Sequence, residues 1–121
     1  MARAPVLVVD DNEDFRFLLS VWLTDELGLT VLLAADGLDA TRYFTDPGSP
    51  APRLVLLDLE MPGMDGRGLC AWLRRHAQEL PRIVLVSARP DLAHVADELE
   101  VDAYLKKPVT LPRLRAAVSG A

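Results

Sequence analysis

The chain has 121 residues, of which 50% are hydrophobic and 26% charged, with a formal net charge of −5. That length fits one domain, 1–121, and leaves no room for a second folded unit, while the composition excludes a disordered chain. The acidic balance argues against nucleic acid or an anionic membrane as the main partner, since both are bound through clustered Lys and Arg, and it invites a cation instead.

The opening Met1-Ala2-Arg3-Ala4-Pro5 leads into a run of about four apolar residues, too short for a signal-peptide core, and no later run approaches the roughly 20 residues of a membrane span. The expected location is therefore cytoplasmic. That first run, Val6 to Val9, is continuous in Val and Leu, as a parallel strand covered on both faces is, and it ends in Asp10-Asp11. Phe15, Leu18, Leu19, Trp22, Leu23 and Leu27 then recur at helical spacing, with Gly28 as the C-terminal cap. The second strand, Thr30 to Leu33, ends only in Ala34-Ala35. A helix over Gly37 to Thr45 turns Ala40, Tyr43 and Phe44 inward, and the proline-rich Asp46 to Pro52 is a loop.

The third strand, Leu54 to Leu57, ends in Asp58, and Leu69, Trp72, Leu73 and His76 mark the helix after it. Cys70, the single cysteine, is a small core residue of that helix, and Arg74-Arg75 form a solvated face. The fourth strand, Ile83 to Val86, ends in Ser87 and precedes a helix with Leu92, Val95, Ala96 and Leu99 inward. His76 and His94 have no metal-spaced partners and are read as exposed. The fifth strand, Ala103 to Leu105, ends in Lys106-Lys107-Pro108, and a last helix starts near Leu111 with Leu111, Leu114 and Val118 as its stripe.

Strands alternating with helices predict a doubly wound α/β fold, a five-stranded parallel sheet with helices on both faces. Such sheets bind ligands outside the carboxyl ends of their strands. Asp10, Asp11, Asp58, Ser87 and Lys107 therefore meet on one rim. Crowded carboxylates repel unless a cation intervenes, and a hard divalent ion with oxygen ligands, Mg²⁺ above all, suits them. Lys106 and Lys107 are the only lysines among 13 basic side chains. A compact ammonium suits a single phosphoryl or carboxylate oxygen in a tight cleft, where a planar guanidinium does not.

Val6-Leu7-Val8-Val9-Asp10-Asp11, Leu57 through Gly66, Val86-Ser87-Ala88 and Tyr104-Leu105-Lys106-Lys107-Pro108 resemble the motifs of response regulator receiver domains, in the family's order and over essentially the whole chain. The resemblance implies a flavodoxin-like (βα)5 fold with strand order 2-1-3-4-5. It implies that Asp58 accepts a phosphoryl group from a sensor histidine kinase or histidine phosphotransfer protein. Asp11, Asp58 and the backbone carbonyl of Glu60 would ligate Mg²⁺, with Asp10 acting through a coordinated water. Ser87 and Lys107 would hold the phosphoryl oxygens, and Tyr104 would be the aromatic switch residue. Lys107-Pro108 would be a cis peptide. The resemblance also implies a switch rather than a turnover enzyme, with a downstream protein target reached through the surface of the fourth helix, fifth strand and fifth helix.

Two departures from the family pattern carry expectations of their own. Glu100 stands where the fourth helix usually ends in Gly; a left-handed cap there costs a non-glycine residue about 1 kcal/mol, so the helix is expected to end differently. Glu60 and Arg89 flank the phosphoryl position, and an ion pair between them is expected to screen it from water and slow hydrolysis. A degenerate receiver that binds a partner without phosphorylation is one alternative. A phosphohydrolase of the haloacid dehalogenase type is another, although it wants a second Asp where this chain has Glu60. The expectation is of no output domain, with Val118-Ser119-Gly120-Ala121 tilting it towards a stand-alone regulator.

Overall fold

The computed structural model describes residues 4–119. The expectations that rest on Met1 to Arg3 and on Gly120 and Ala121, the missing signal peptide and the stand-alone tail, lie outside the described residues. Five strands, β1 (Val6–Val9), β2 (Val31–Ala34), β3 (Leu54–Leu57), β4 (Arg82–Ser87) and β5 (Ala103–Lys106), alternate with α1 (Glu13–Val21), α2 (Gly37–Thr45), α3 (Gly66–His76), α4 (Leu92–Glu98) and α5 (Leu111–Ser119). The strands pair in parallel in the order β2-β1-β3-β4-β5, as expected. No described helix is long and apolar enough to cross a membrane.

The continuous apolar runs are explained by two cores. Alternate residues of one strand face opposite sides. Leu7, Val9, Val55, Leu57, Ile83 and Leu85 pack with Leu69, Leu73 and Val95 on one side. Val6, Val8, Leu54, Leu56, Val84 and Val86 pack with Leu19, Leu23, Leu114 and Val118 on the other. Every residue of β1 and β3 is buried, so neither strand has a polar face to alternate. Cys70 is buried in the first core. Trp22 and Trp72 are partly buried against the second and first cores respectively.

The first helix differs from its expected uniform pattern. After Val21 it widens into a π-helical turn, Trp22–Glu26, in which the Leu27 amide donates to the Trp22 carbonyl at 3.2 Å. Widening the turn shifts the stripe only slightly, so Trp22, Leu23 and Leu27 still reach the second core. Gly28 follows with φ 67°, the left-handed residue predicted.

Glu100 overturns the expectation about α4. It adopts φ 55°, and its amide donates to the Asp97 carbonyl at 3.1 Å while that of Val101 donates to Ala96 at 3.2 Å, the paired bonds of a left-handed helix ending. A second correction supplies part of the compensation. Arg74 is not merely solvated: its Nη2 donates to the carbonyls of Leu99 and Glu100 at 2.6 and 3.2 Å, holding α3 to the end of α4. The other Arg of the pair, Arg75, is exposed as expected.

Candidate functional site

Parallel pairing sets the carboxyl ends of β1, β3, β4 and β5 side by side, and the residues that follow them line one cavity of about 420 Å³. Its walls are Asp10, Asp11, Asn12, Asp58, Glu60, Ser87, Ala88, Arg89 and Lys107. All five strand-end side chains singled out from the sequence come together there. Tyr104 lies elsewhere, its side chain exposed on β5.

Asp58 extends β3, and its amide donates to the Val9 carbonyl at 2.9 Å, which ties the residue to the end of β1. Its carboxylate is only 6% exposed. Burial, and after it the neighbouring charge of Asp10, pushes its pKa up to about 6, against a smaller opposing pull from Lys107. The Glu60 amide donates to Asp58 Oδ1 at 3.3 Å. Close packing from below fixes this strand end. A Cβ on Gly66, the first residue of α3, would lie 2.6 Å from the Asp58 carbonyl oxygen, so only glycine lets the helix start this close to the acceptor strand.

Asp10 is more deeply buried than Asp58, at 2% exposure. It is held on every side the structure describes. Oδ1 accepts the Asn12 amide at 2.9 Å, Oδ2 accepts Lys107 Nζ at 3.1 Å, and the backbone carbonyl accepts Arg16 Nη1 at 2.7 Å. Asp11 is exposed. Carboxylate oxygens of Asp10, Asp11 and Asp58 lie within 4.8 Å of one another. A hard, oxygen-only donor set whose buried members repel each other fits Mg²⁺.

Lys107 Nζ also lies 4.3 Å from the centre of the Phe15 ring. The sequence pattern places Phe15 only in a helix stripe. Nothing in the spacing separates a core aromatic from one lying beneath an ammonium, since the contact joins residues at opposite ends of the chain. The Lys107-Pro108 peptide is cis, as expected. Ser87 is buried, its Oγ accepting the Arg89 amide at 3.2 Å and its carbonyl accepting the Lys107 amide at 2.9 Å. The expected ion pair is present, with Arg89 Nη1 2.9 Å from Glu60 Oε1.

His76 and His94 are exposed, as read, the former stacked on Trp72 at 4.7 Å. Lys106 is exposed and has no place in the cavity lining.

The profile of the response regulator receiver domain matches residues 6–119. The chain belongs to that family. It is 38% identical over 116 residues to the Regulator of RpoS of Escherichia coli strain K12, covering 93% of this chain and 33% of that protein. It is 32% identical over 122 residues to Response regulator Rcp1 of Synechocystis, covering 95% of this chain and 83% of that one. The receiver domain of NtrX from Brucella abortus superposes with a TM-score of 0.82 at 32% identity, covering 95% of each chain. The chain spans a third to about half the length of the first curated relatives it matches. Receiver domains of two-component systems generally bind Mg²⁺, and the acidic cluster here suits that ion.

Proposed function

We propose that this receiver domain works in the cytoplasm, takes a phosphoryl group onto Asp58 from the phosphohistidine of a sensor histidine kinase or histidine phosphotransfer protein, and signals by changing the surface it offers a downstream protein. The observation that carries the reading is the convergence of Asp58, Ser87 and Lys107 on one cavity beside a paired acidic cluster.

In this reading an Asp58 carboxylate oxygen attacks phosphorus. The new P–O bond forms as the P–N bond breaks, and its electron pair stays on the departing imidazole nitrogen. Even before the ion binds, a carboxylate with a pKa of about 6 is mostly ionised at neutral pH, so its oxygen is available both to the cation and to phosphorus. Asp11, Asp58 and the Glu60 carbonyl would hold Mg²⁺ directly and Asp10 through a coordinated water. When bound, the ion offsets negative charge developing on the transferred group.

Lys107 exchanges Asp10 Oδ2 for a phosphoryl oxygen, and the ring of Phe15 lies under the ammonium as it turns. Ser87 Oγ donates to a second phosphoryl oxygen. These contacts exist only in the phosphorylated form, so they bias the population towards the state that makes them. Tyr104 follows Ser87 inward and alters the surface formed by α4, β5 and α5. The domain acts as a switch, phosphorylated once per signal, rather than as a turnover enzyme.

The test is incubation with acetyl phosphate and Mg²⁺ followed by mass measurement. One added phosphoryl group, absent in Asp58→Asn, is expected. No gain in the parent chain would overturn the reading in favour of a phosphorylation-independent binding module, and sustained hydrolysis of small phosphate esters would favour a phosphohydrolase.

A further inference from the structure

Four helices of this chain start from an Asn or Asp, and three use that side chain alike. Asn12, Asp36 and Asp65 each accept the amide three residues on, at 2.9, 2.7 and 2.9 Å, with extended backbone at the capping residue. Asp91, before α4, makes no capping bond and has φ −95° and ψ 21°. Its carboxylate faces the other way. Oδ1 accepts Arg89 Nε at 2.9 Å and Oδ2 accepts Arg89 Nη2 at 3.0 Å, a two-pronged grip on the guanidinium. The remaining prong, Nη1, donates to Glu60 Oε1 at 2.9 Å.

Arg89 thus joins the segment after β4 to the segment after β3, at the wall of the cavity that holds Asp58. Stability does not account for the arrangement. An exposed ion pair contributes little, whereas an Asp that caps a helix is among the better-attested local stabilisers. Asp91 forgoes the second for the first, and the side chain it grips, Arg89, lines the phosphoryl cavity.

We propose that Asp91 is a positioning residue for the aspartyl phosphate, holding Arg89 against Glu60 and away from the phosphoryl oxygens so that the phosphate persists. The inference rests on the phosphoacceptor reading of Asp58. In hydrolysis, water adds to phosphorus and the P–O bond to Asp58 breaks, its electron pair returning to the carboxylate. Both protons of the water leave on dihydrogen phosphate. A guanidinium free to reach the equatorial oxygens would offset the charge that builds there and speed this step. Gripped on three nitrogens by two carboxylates, the guanidinium of Arg89 is neutralised and held out of that role.

The experiment follows loss of the phosphoryl group from the acetyl-phosphate-loaded protein, by mass, in five chains: parent, Asp91→Asn, Asp91→Glu, Arg89→Ala and the double variant Asp91→Asn with Arg89→Ala. Asn is a good helix cap, so Asp91→Asn keeps the fold while removing the grip. The expected result is a lifetime shortened several-fold by Asp91→Asn, restored towards the parent by Asp91→Glu, and no effect of Asp91→Asn in the Arg89→Ala background. A role confined to α4 would act equally in both backgrounds. That outcome, or an unchanged lifetime in Asp91→Asn, overturns the inference and leaves the acceptor intact. Failure of the parent to take up phosphate overturns both.

Discussion

At the carboxyl rim of the sheet, Asp10 and Asp58 are buried together, with one ammonium paired to Asp10. At the amino rim of the same strands, charged side chains settle onto backbone instead. Asp102 Oδ2 accepts the Ile83 amide at 2.7 Å, and Arg53 Nε donates to the Ala4 carbonyl at 3.2 Å. The match is incomplete even there, since Arg82 Nε is buried with no partner among the described residues. Parallel strands and shared cores serve both ends equally, so the contrast lies in what each rim does with charge. One rim uses it to complete the fold. The other holds an excess of like charge that an incoming cation and phosphoryl group can relieve.

The contrast is broken most strongly by removing the ammonium. Lys107→Ala leaves Asp10, at 2% exposure, with its charge unopposed, and losing one member of a buried pair is expected to lower stability by about 3 kcal/mol at neutral pH without added metal. Urea denaturation measures it. Adding Asp10→Asn to the same chain should recover most of the loss, because the uncompensated charge goes with it. A loss that persists in the double variant would mean that Lys107 acts through its packing on Phe15 and not through charge.

The opposite sign is expected one strand away. Asp58 has a folded pKa of about 6, above its ordinary 3.8, so the folded chain holds this proton more tightly than the unfolded one. The favourable contribution is complete below the unfolded value and is lost as pH rises through 6. At pH 7.5 in metal-free buffer, the ionised carboxylate therefore costs the fold stability, and Asp58→Asn should gain on the order of 2 kcal/mol. The gain should fade as pH falls towards 4 and vanish below the unfolded value of 3.8, where both states come to carry the proton, and it should shrink when Mg²⁺ is added. Thermal melts across that range, with and without metal, provide the check. A gain that is independent of pH would refute the electrostatic account of this rim.

At the amino rim the effect should be smaller and confined to folding. Asp102→Ala removes the acceptor of the Ile83 amide at the start of β4, for an expected loss of about 1 kcal/mol. Phosphoryl uptake from acetyl phosphate should be unchanged. A variant that folds but no longer takes up phosphate would show that the two rims are coupled and end the distinction between them.

The two rims were also unequally legible in the sequence. The carboxyl rim could be read because Asp10, Asp58 and Ser87 each directly follow an apolar run and a lysine pair follows the fifth, so parallel order brings them together, while the family motif separates Lys107 from Lys106. Asp102 and Arg53 attracted no notice, because their partners are backbone groups brought close only by the folded sheet. Glu100 misled for a related reason. Its left-handed conformation is unfavourable locally, and two capping bonds and the distant Arg74 offset it. The π-helical turn at Trp22–Glu26 escaped detection because a slightly widened turn keeps the same side chains inward. Asp91 precedes its helix just as Asp36 and Asp65 precede theirs, and only the folded backbone and side-chain direction separate it from them.

The smallest effect tests how local the carboxyl rim is. Lys106 and Lys107 are adjacent and carry the same charge, so a diffuse electrostatic role would treat them alike. The structure does not: Lys107 Nζ is 3.1 Å from Asp10 Oδ2 and 4.3 Å from the Phe15 ring, while Lys106 is exposed at the end of β5. Lys106→Arg should change stability by less than about 0.5 kcal/mol and leave phosphorylation-dependent binding alone. Lys107→Arg keeps the charge but replaces a compact ammonium by a wide planar fork in a site closed by Asp10 and Phe15. It should still fold and still accept phosphate, yet fail to make the single-oxygen contact that stabilises the switched state. Change in the Tyr104 environment on phosphorylation, followed by NMR, reports it. Equal responses from the two arginine variants would mean that this rim works by net charge, and the assignment of Lys107 to one phosphoryl oxygen would fall.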